Sequence, residues 1–187
     1  MFTTHFDAYV CDGDEITCEK GGFEVTASVQ RDNDMGPPWK EHDGHGVVSD
    51  WRPKNSKRPG ERIMCEDRGS CRFYDWAASI KIAKRDGWDA EPYGVGTKGE
   101  RAVRAVQRDF ESMKSWCENE WHWCGVVLSV SKGNVEILDH AASLWGIECN
   151  HPNGNNNHLM DVANELLDEA ITNAEEAKNR ICKALMS

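Results

Sequence analysis

The sequence predicts an α+β fold, in which an antiparallel β-sheet is packed on one side by two or three helices and the C-terminal helix is long. Three observations predict this class. Alternating segments separated by glycine turns occupy the N-terminal region, capped amphipathic segments follow in the middle, and residues 159–185 keep an apolar period typical of one long helix. With 187 residues, 39% of them hydrophobic, the chain can bury a core of its own.

The N-terminal strands are predicted by alternation and by turns. Phe23, Val25, Ala27 and Val29 alternate with polar residues, which gives a strand one buried face and one wet face. Turns rich in glycine and aspartate separate this segment from the two before it. We therefore expect strands over residues 5–10, 15–20 and 23–30.

The later elements are predicted by their caps and turns. Asp75 is a good N-cap for a helix over residues 76–85, and Thr97 with Glu100 forms a capping box that begins a second helix. A hairpin with a three-residue loop at residues 67–69 would place Cys65 opposite Cys71. Further strands are expected over residues 121–130, 135–138 and 144–148.

The chain divides by pattern into three parts, which we interpret as one domain overall. Residues 1–35 form the N-terminal strands, residues 36–62 form a long irregular loop, and residues 63–187 form the main α+β body. Loops of this length inside a compact domain are usually functional or disordered. Trp39 and Trp51 indicate that parts of this one are packed.

No segment reaches the roughly 20 apolar residues that cross a membrane, and the N-terminus lacks the pattern of a signal peptide. We therefore expect a cytoplasmic protein with no membrane partner. The cytoplasm keeps thiols reduced, so we interpret the eight cysteines mainly as buried thiols. Metal ligation and structural disulfides are the alternatives.

The net charge of −10 is unevenly distributed, with acidic ends and a basic middle. Acidic side chains gathered on one face of a folded protein can imitate the phosphates of DNA and dock on a basic partner. A solvated surface would have the same composition, which is the alternative interpretation. The candidate partner-binding residues are Asp12, Asp14, Glu15, Asp32, Asp34, Trp39, Asp161, Glu165, Asp168 and Glu169.

The basic middle offers a different candidate, a nucleic-acid surface over residues 51–74. Cationic side chains contact phosphates, and interleaved aromatic rings stack on unpaired bases. Local pairing of these side chains with carboxylates is the alternative. The candidate residues are Arg52, Lys54, Lys57, Arg58, Arg62 and Arg68.

Two groups of residues are candidate metal ligands, with Zn²⁺ as the candidate ion. In the first group, glycines beside His42, Asp43 and His45 would let the backbone fold around the ion. In the second, His122 and Cys124 share one face of a strand, Cys117 lies just before it, and Cys149 or His151 could add a fourth ligand. The alternatives are a polar loop for the first group and buried core positions for the second.

The chain lacks the common catalytic signatures, including a phosphate-binding loop and the motifs Gly-x-Ser-x-Gly and His-Glu-x-x-His. We therefore favour a binding protein that needs no cofactor over an enzyme. A metal-dependent enzyme centred on His42, Asp43 and His45 is kept as an alternative.

Several motifs resemble a family of small uncharacterised proteins encoded by bacteriophages and prophages. They are GPPWKEHDGHG at residues 36–46, KRPGER at 57–62, DRGS at 67–70, FYD at 73–75, AKRDGW at 83–88, EWHWCGV at 120–126 and SLWGIE at 143–148. The resemblance covers roughly residues 36–170 and implies a setting in the bacterial host cytoplasm. It favours an accessory protein, of the anti-CRISPR or anti-restriction type, that inhibits a host protein or ribonucleoprotein complex.

Overall fold

The structure is a computed structural model and describes residues 1–88, 95–152 and 154–186. It confirms the α+β class, with antiparallel strands and a long C-terminal helix. The chain forms two compact units, which we call the first unit (Met1–Met35 and Trp121–Ser187) and the second unit (Gly36–Glu120). In chain order the elements are β1 (Glu15–Lys20), β2 (Phe23–Arg31), α1 (Pro38–Glu41), β3 (Val47–Val48), β4 (Arg52–Pro53), a 3₁₀ turn (Lys54–Ser56), β5 (Glu61–Asp67), β6 (Ser70–Asp75), α2 (Trp76–Asp86), α3 (Lys98–Cys117), β7 (His122–Lys132), β8 (Val135–Cys149) and α4 (Asn157–Met186).

The first unit is built on a four-stranded antiparallel sheet in the order β1-β2-β7-β8. The alternation of β2 is confirmed, because Phe23, Val25, Ala27 and Val29 are all buried. β8 is one strand of 15 residues, so the two short strands predicted there are joined. Its register against β7 shifts at three points, which explains why the alternation along it is weak.

Helix α4 covers one face of this sheet. Its apolar stripe includes Leu159, Ala163, Leu167, Ala170 and Ala174, all of which are buried in one core with the strands. Burying a leucine side chain contributes about 2 kcal/mol, and the small alanines let the helix approach the sheet closely. The stripe also fixes which side of α4 faces outward.

The predicted strand over residues 5–10 is wrong. Phe2, Phe6 and Val10 are spaced four apart and are buried in the core of the first unit, whereas strand residues would alternate. The backbone is satisfied by side chains instead of a ladder. Phe2 N donates to Asn164 Oδ1 at 2.8 Å, and Val10 N donates to Asn150 Oδ1 at 2.9 Å.

The second unit has its own antiparallel sheet, in which β6 lies between β5 on one side and the short strands β3 and β4 on the other. The hairpin of β5 and β6 turns through two residues, Arg68 and Gly69, whose φ angles of 45° and 82° are both positive. The predicted three-residue loop is therefore wrong. Cys71 pairs with Glu66 and Cys65 with Arg72, because the two-residue turn shifts the register by one residue from the predicted pairing.

Both predicted helices of the second unit are present. Asp75 caps α2 by accepting from Ala78 N at 2.9 Å, and the capping box of Thr97 and Glu100 begins α3. The helices pack on each other, and Phe110 of α3 contacts the rings of Tyr74 and Trp76 at 5.4 and 5.9 Å. A disulfide joins Cys65 on β5 to Cys117 at the end of α3.

The sequence predicts that no segment crosses a membrane. Among the residues that the structure describes, no helix is both long enough and apolar enough to cross a membrane.

Gly46 is required by the packing of the second unit. A Cβ atom at this position would lie 2.1 Å from the hydroxyl oxygen of Tyr74, whose side chain is fully buried. We expect Gly46→Ala to destabilise the protein by about 1–3 kcal/mol, as overpacking does. Urea unfolding would measure it. Gly99→Ala is the matched control, because the nearest atoms to the added methyl would be those of the flexible Lys84 side chain, at the ordinary contact distance of 3.5 Å. Equal stability of the two variants would contradict this account.

Candidate functional site

The negative charge of the chain is concentrated in the first unit. This unit has 17 Asp and Glu residues against 6 Lys and Arg, which gives a net charge of −11. The second unit has 15 acidic and 16 basic residues, a net charge of +1. The first unit is therefore the part of the chain that attracts cations.

The outer side of α4 is the more strongly acidic surface of this unit. Asp161, Glu165 and Glu169 follow one another at i, i+4 spacing, opposite the buried apolar stripe. Within the described part of the chain, Asp168 pairs with Lys20, and the other carboxylates of this side form no ion pair. We call this set the α4 acidic row; its exposed members are Asp161, Glu165, Asp168, Glu169, Glu175 and Glu176.

The charge density of the α4 acidic row is close to that of a nucleic-acid strand. Residues 161–176 span about 22 Å of helix, at about 1.5 Å per residue. Six carboxylates over this length give about one charge per 4 Å. One strand of DNA has about one phosphate per 3.4 Å of helix axis. The electrostatic field of the α4 acidic row is therefore comparable to that of a single DNA strand, and a basic groove on a partner would attract it.

The other face of the first unit's sheet carries a second acidic set, which we call the polar face. Glu19 and Glu24 lie directly opposite each other on β1 and β2, although like charges in this position destabilise a sheet. Among the strand positions that the structure describes, no lysine or arginine lies on the polar face. By register its members are Glu15, Thr17, Glu19, Glu24, Thr26, Ser28, Gln30, Val127, Ser129, Ser131, Glu136 and Ser143, with Trp145 lying on Gly125.

The predicted acidic residues are therefore divided between two surfaces of the first unit. Glu15 belongs to the polar face, whereas Asp161, Glu165, Asp168 and Glu169 belong to the α4 acidic row. Because α4 packs on the opposite face of the sheet, one flat partner surface can engage only one of these sets.

Three of the predicted aspartates serve the backbone instead. Asp12 accepts from Arg31 N, and Asp14 accepts from Cys11 N, each at 2.7 Å. Asp32 accepts from the backbone of residues 34, 35 and 146 at 3.0–3.2 Å. Asp34 is exposed at the rim of a cavity of about 510 Å³, which Trp145 also lines. Sequence reasoning did not identify Trp145.

Trp39 lies in the second unit and contacts Trp116, with ring centroids 5.4 Å apart. It is only half-exposed, and Arg72 lies 5.6 Å from its ring. Trp39 therefore belongs to an aromatic cluster of the second unit, which is nearly neutral.

Much of the basic segment is paired locally. Arg52 binds Glu61 at 2.7 Å, Lys54 binds Glu66 at 2.8 Å, and Arg62 stacks on the ring of Trp76 at 3.3 Å. Arg68 lies 4.0 Å from Asp67. Lys57 and Arg58 are exposed. These contacts lower the charge available to phosphates, and a nucleic-acid surface here stays a prediction.

The first candidate metal group is not assembled as a cluster. His42 and Asp43 are exposed, whereas His45 Nδ1 lies 2.7 Å from Asp109 Oδ1. In the described ranges, no group of three or more His, Cys, Asp or Glu side chains is arranged to hold a metal ion. Metal binding at His42, Asp43 and His45 therefore stays a prediction.

The second candidate group is brought together only in part. Cys117 is bonded to Cys65 and has no thiolate to offer a metal. His122 and Cys149 pair across β7 and β8, and Cys124 lies two residues further along β7 on the same face, so these three side chains lie in one region of the sheet. The shared face of His122 and Cys124 was expected from alternation along the strand.

Asp109 is a carboxylate that sequence reasoning missed, and only 9% of its side chain is exposed. Its Oδ1 meets His45, and its Oδ2 accepts from the Tyr74 hydroxyl at 2.6 Å and from Gly46 N at 2.8 Å. Burial and the nearby Asp109 raise the pKa of Tyr74 far above its usual value. Position 109 lies on the helical face beside arginines, so the sequence carried no signal of burial. The network orients His45 and fixes the loop before β3.

Comparison with known proteins gives no further constraint. No protein-family model matches the chain, and no curated protein and no solved structure gives a match.

The Asp109 network makes a prediction about stability. Asp109→Ala leaves the buried Tyr74 hydroxyl and Gly46 N–H without an acceptor, so we expect a loss of about 3 kcal/mol. Tyr74→Phe removes one bond and should cost about 1 kcal/mol. Urea unfolding at pH 8 would rank the two variants, and a larger loss for Tyr74→Phe would contradict this assignment.

Tyr74 also makes a prediction about pH. The folded protein holds its phenol neutral, whereas the unfolded chain ionises near pH 10. The stabilisation is present below about pH 10 and is lost as the pH rises further. We expect the free energy of unfolding to fall above pH 10 in the natural chain and to fall less steeply in Tyr74→Phe. Parallel alkaline profiles of the two proteins would overturn this expectation.

Proposed function

We propose that this protein is a non-enzymatic inhibitor that docks the α4 acidic row on the basic, nucleic-acid-binding surface of a host protein or ribonucleoprotein complex. It competes there with nucleic acid. The observation that carries the proposal is the DNA-like spacing of the carboxylates on the outer side of α4, of which only Asp168 has an ion-pair partner in the described chain.

The α4 acidic row supports the proposal better than the polar face does. Its like charges at i, i+4 spacing repel one another and destabilise the helix. Only Asp168 has a cation partner, Lys20, among the described residues. A basic partner would relieve this repulsion. Binding to such a partner therefore explains why the like charges are arranged in this way. The apolar stripe beneath the α4 acidic row is buried in the core and holds the helix in place. The row therefore binds a partner without the entropic cost of ordering a flexible segment.

The resemblance to phage and prophage proteins supplies the setting of the proposal. In a bacterial host cytoplasm, defence and restriction complexes hold nucleic acid in positively charged channels. An inhibitor of the anti-CRISPR or anti-restriction type would fill such a channel. Electrostatic steering would make its association fast at low salt and slower at high salt.

The binding experiment is a charge-neutralisation series on immobilised protein. Bacterial lysate is passed over the natural chain, over Glu165→Gln/Glu169→Gln/Glu176→Gln, and over the control Glu19→Gln/Glu24→Gln/Glu136→Gln. We expect a protein partner that is retained by the natural chain and by the polar-face control, and that DNA displaces. The α4 variant should lose it at least tenfold.

Three results would count against the proposal. They are retention of no partner at low salt, equal retention by the α4 variant, or a partner that DNA does not displace. If only the polar-face control lost the partner, the binding surface would be the polar face and not the α4 acidic row.

Repulsion within the α4 acidic row can be measured in the free protein. Glu165→Gln removes like-charge neighbours at positions 161 and 169, so we expect the melting temperature to rise by about one degree at low salt. Salt screens the repulsion, so the rise should vanish near 1 M salt. Thermal unfolding monitored by circular dichroism would test this. A fall in melting temperature at low salt would show that Glu165 is stabilised by a partner within the chain.

A further inference from the structure

A cavity of about 510 Å³ lies in the first unit, where the chain leaves β2 and meets β8. This volume falls within the range of about 300–1,000 Å³ that is usual for small-ligand sites. The α4 acidic row contributes no residue to it. The lining residues are Arg31, Asp32, Asn33, Asp34, Met35 and Trp145.

Trp145 forms the aromatic wall of this cavity, and its ring is held in place. The ring fills the space beside Gly125, where a Cβ atom would overlap it. The indole N–H donates to Ser143 Oγ at 3.2 Å, which fixes the orientation of the ring. The side chain is nevertheless 41% exposed. An aromatic surface is therefore open to a ligand and does not have to be ordered first.

A β-bulge places Trp145 in this position. The register between β7 and β8 shifts opposite Gly125, so that Trp145 and Gly146 on β8 face one residue on β7. Gly146 has a φ angle of 74°, which a glycine adopts without strain. Bulges of this kind re-aim a side chain and are frequent beside functional sites.

Asp32 holds the opposite wall of the cavity. Its backbone N donates to Trp123 O at 3.0 Å, and its Oδ2 accepts from Gly146 N at 3.1 Å. Its Oδ1 accepts from the backbone N of Asp34 and of Met35, at 3.0 and 3.2 Å. The segment after β2 is thus tied to both β7 and β8, and the cavity is formed before any ligand binds.

The charged groups of the cavity suit a ligand with one positive charge. The carboxylate of Asp32 is already used by three backbone N–H groups, whereas that of Asp34 is exposed. Among the described residues, the Asp34 carboxylate forms no hydrogen bond and no ion pair. Two carboxylates and the guanidinium of Arg31 give the lining a net charge of −1. The negative charge of the whole first unit attracts the same ligand.

The shape of the cavity wall favours a planar cation over a compact one. A guanidinium stacks on an aromatic face, and its fork of N–H groups donates to a carboxylate through two parallel bonds. The cavity provides one such ring, on Trp145, and one such carboxylate, on Asp34. Quaternary ammonium groups are held instead by cages of several rings, and Trp145 is the one aromatic residue among the described lining residues.

We propose that this cavity is a binding site for a guanidinium group, the cation shared by arginine side chains and free arginine. The group stacks on the Trp145 ring and donates to the Asp34 carboxylate, and the amide oxygen of Asn33 accepts a further N–H. The site does not depend on the proposed function, because Trp145 and α4 lie on opposite faces of the sheet. A variant can therefore lose one activity and keep the other.

The test is an NMR titration of the whole isotope-labelled protein, followed at the indole N–H signal of Trp145. Loss of this signal in Trp145→Phe identifies it. The probe is N-acetyl-L-arginine amide, and its control is the neutral isostere N-acetyl-L-citrulline amide. We expect saturable binding of the arginine probe in the millimolar range, and binding of the citrulline probe at least tenfold weaker because it has no charge.

A pair of variants connects the binding to Asp34. Asp34→Asn should weaken binding of the arginine probe at least tenfold, because it removes the charge-assisted hydrogen bonds. The exposed Asp34 carboxylate has no partner in the described chain, so this change leaves the fold intact. Glu24→Gln is the matched control, because it removes one exposed carboxylate charge from the same unit. Its affinity for the probe should stay within twofold of that of the natural chain.

A titration with free L-arginine identifies the source of the guanidinium group. Tighter binding of the blocked probe assigns the site to arginine side chains of a protein, and tighter binding of L-arginine assigns it to the free amino acid. Both results support the site. Equal binding of the citrulline probe, full affinity in Asp34→Asn, an equal loss in Glu24→Gln, or no shift of the Trp145 signal would each overturn the proposal.

Discussion

The contact between the apolar stripe of α4 and the sheet of the first unit determines most of what this protein presents to its surroundings. Leu159, Leu167 and the alanines between them bury one side of the helix and one face of the sheet. Everything charged must then face away from that contact. The same contact separates the acidic residues into two opposite surfaces, and it closes the core around Cys124 and Cys149.

The acidic residues of the first unit fall into two physical classes. Asp12, Asp14 and Asp32 accept hydrogen bonds from backbone N–H groups and hold turns in place. Their carboxylates therefore stabilise local backbone structure. The carboxylates along α4 accept no backbone bonds in the described chain, and only Asp168 among them has an ion-pair partner there, the side chain of Lys20. Net charge alone does not separate these classes, whereas hydrogen-bond partners do.

Much of the fold followed from local rules. The alternation of β2, the N-cap at Asp75, the capping box at Thr97 and the period of α4 were all predicted, because each depends on residues close in sequence. The N-terminal segment was predicted wrongly, since its backbone partners are Asn150 and Asn164, far along the chain.

Like the fold, the candidate sites could be predicted only where they depend on residues close in sequence. The shared face of His122 and Cys124 follows from strand alternation, and the acidic side of α4 follows from helical spacing. Asp109 and Trp145 were not predicted. Asp109 accepts a hydrogen bond from Tyr74, which is distant in sequence, and the Trp145 ring lies where Gly125 has no side chain. Contacts of this kind leave no pattern in neighbouring residues.

The bridge between Cys65 and Cys117 ties the second unit to the chemistry of its compartment. It closes a loop of 52 residues, and such a closure removes chain entropy from the unfolded state worth about 4 kcal/mol. A reducing compartment would open it. The second unit would then be more stable under oxidising conditions than under reducing ones. Its measured stability would therefore depend on the redox state of the surrounding solution, with no change in sequence.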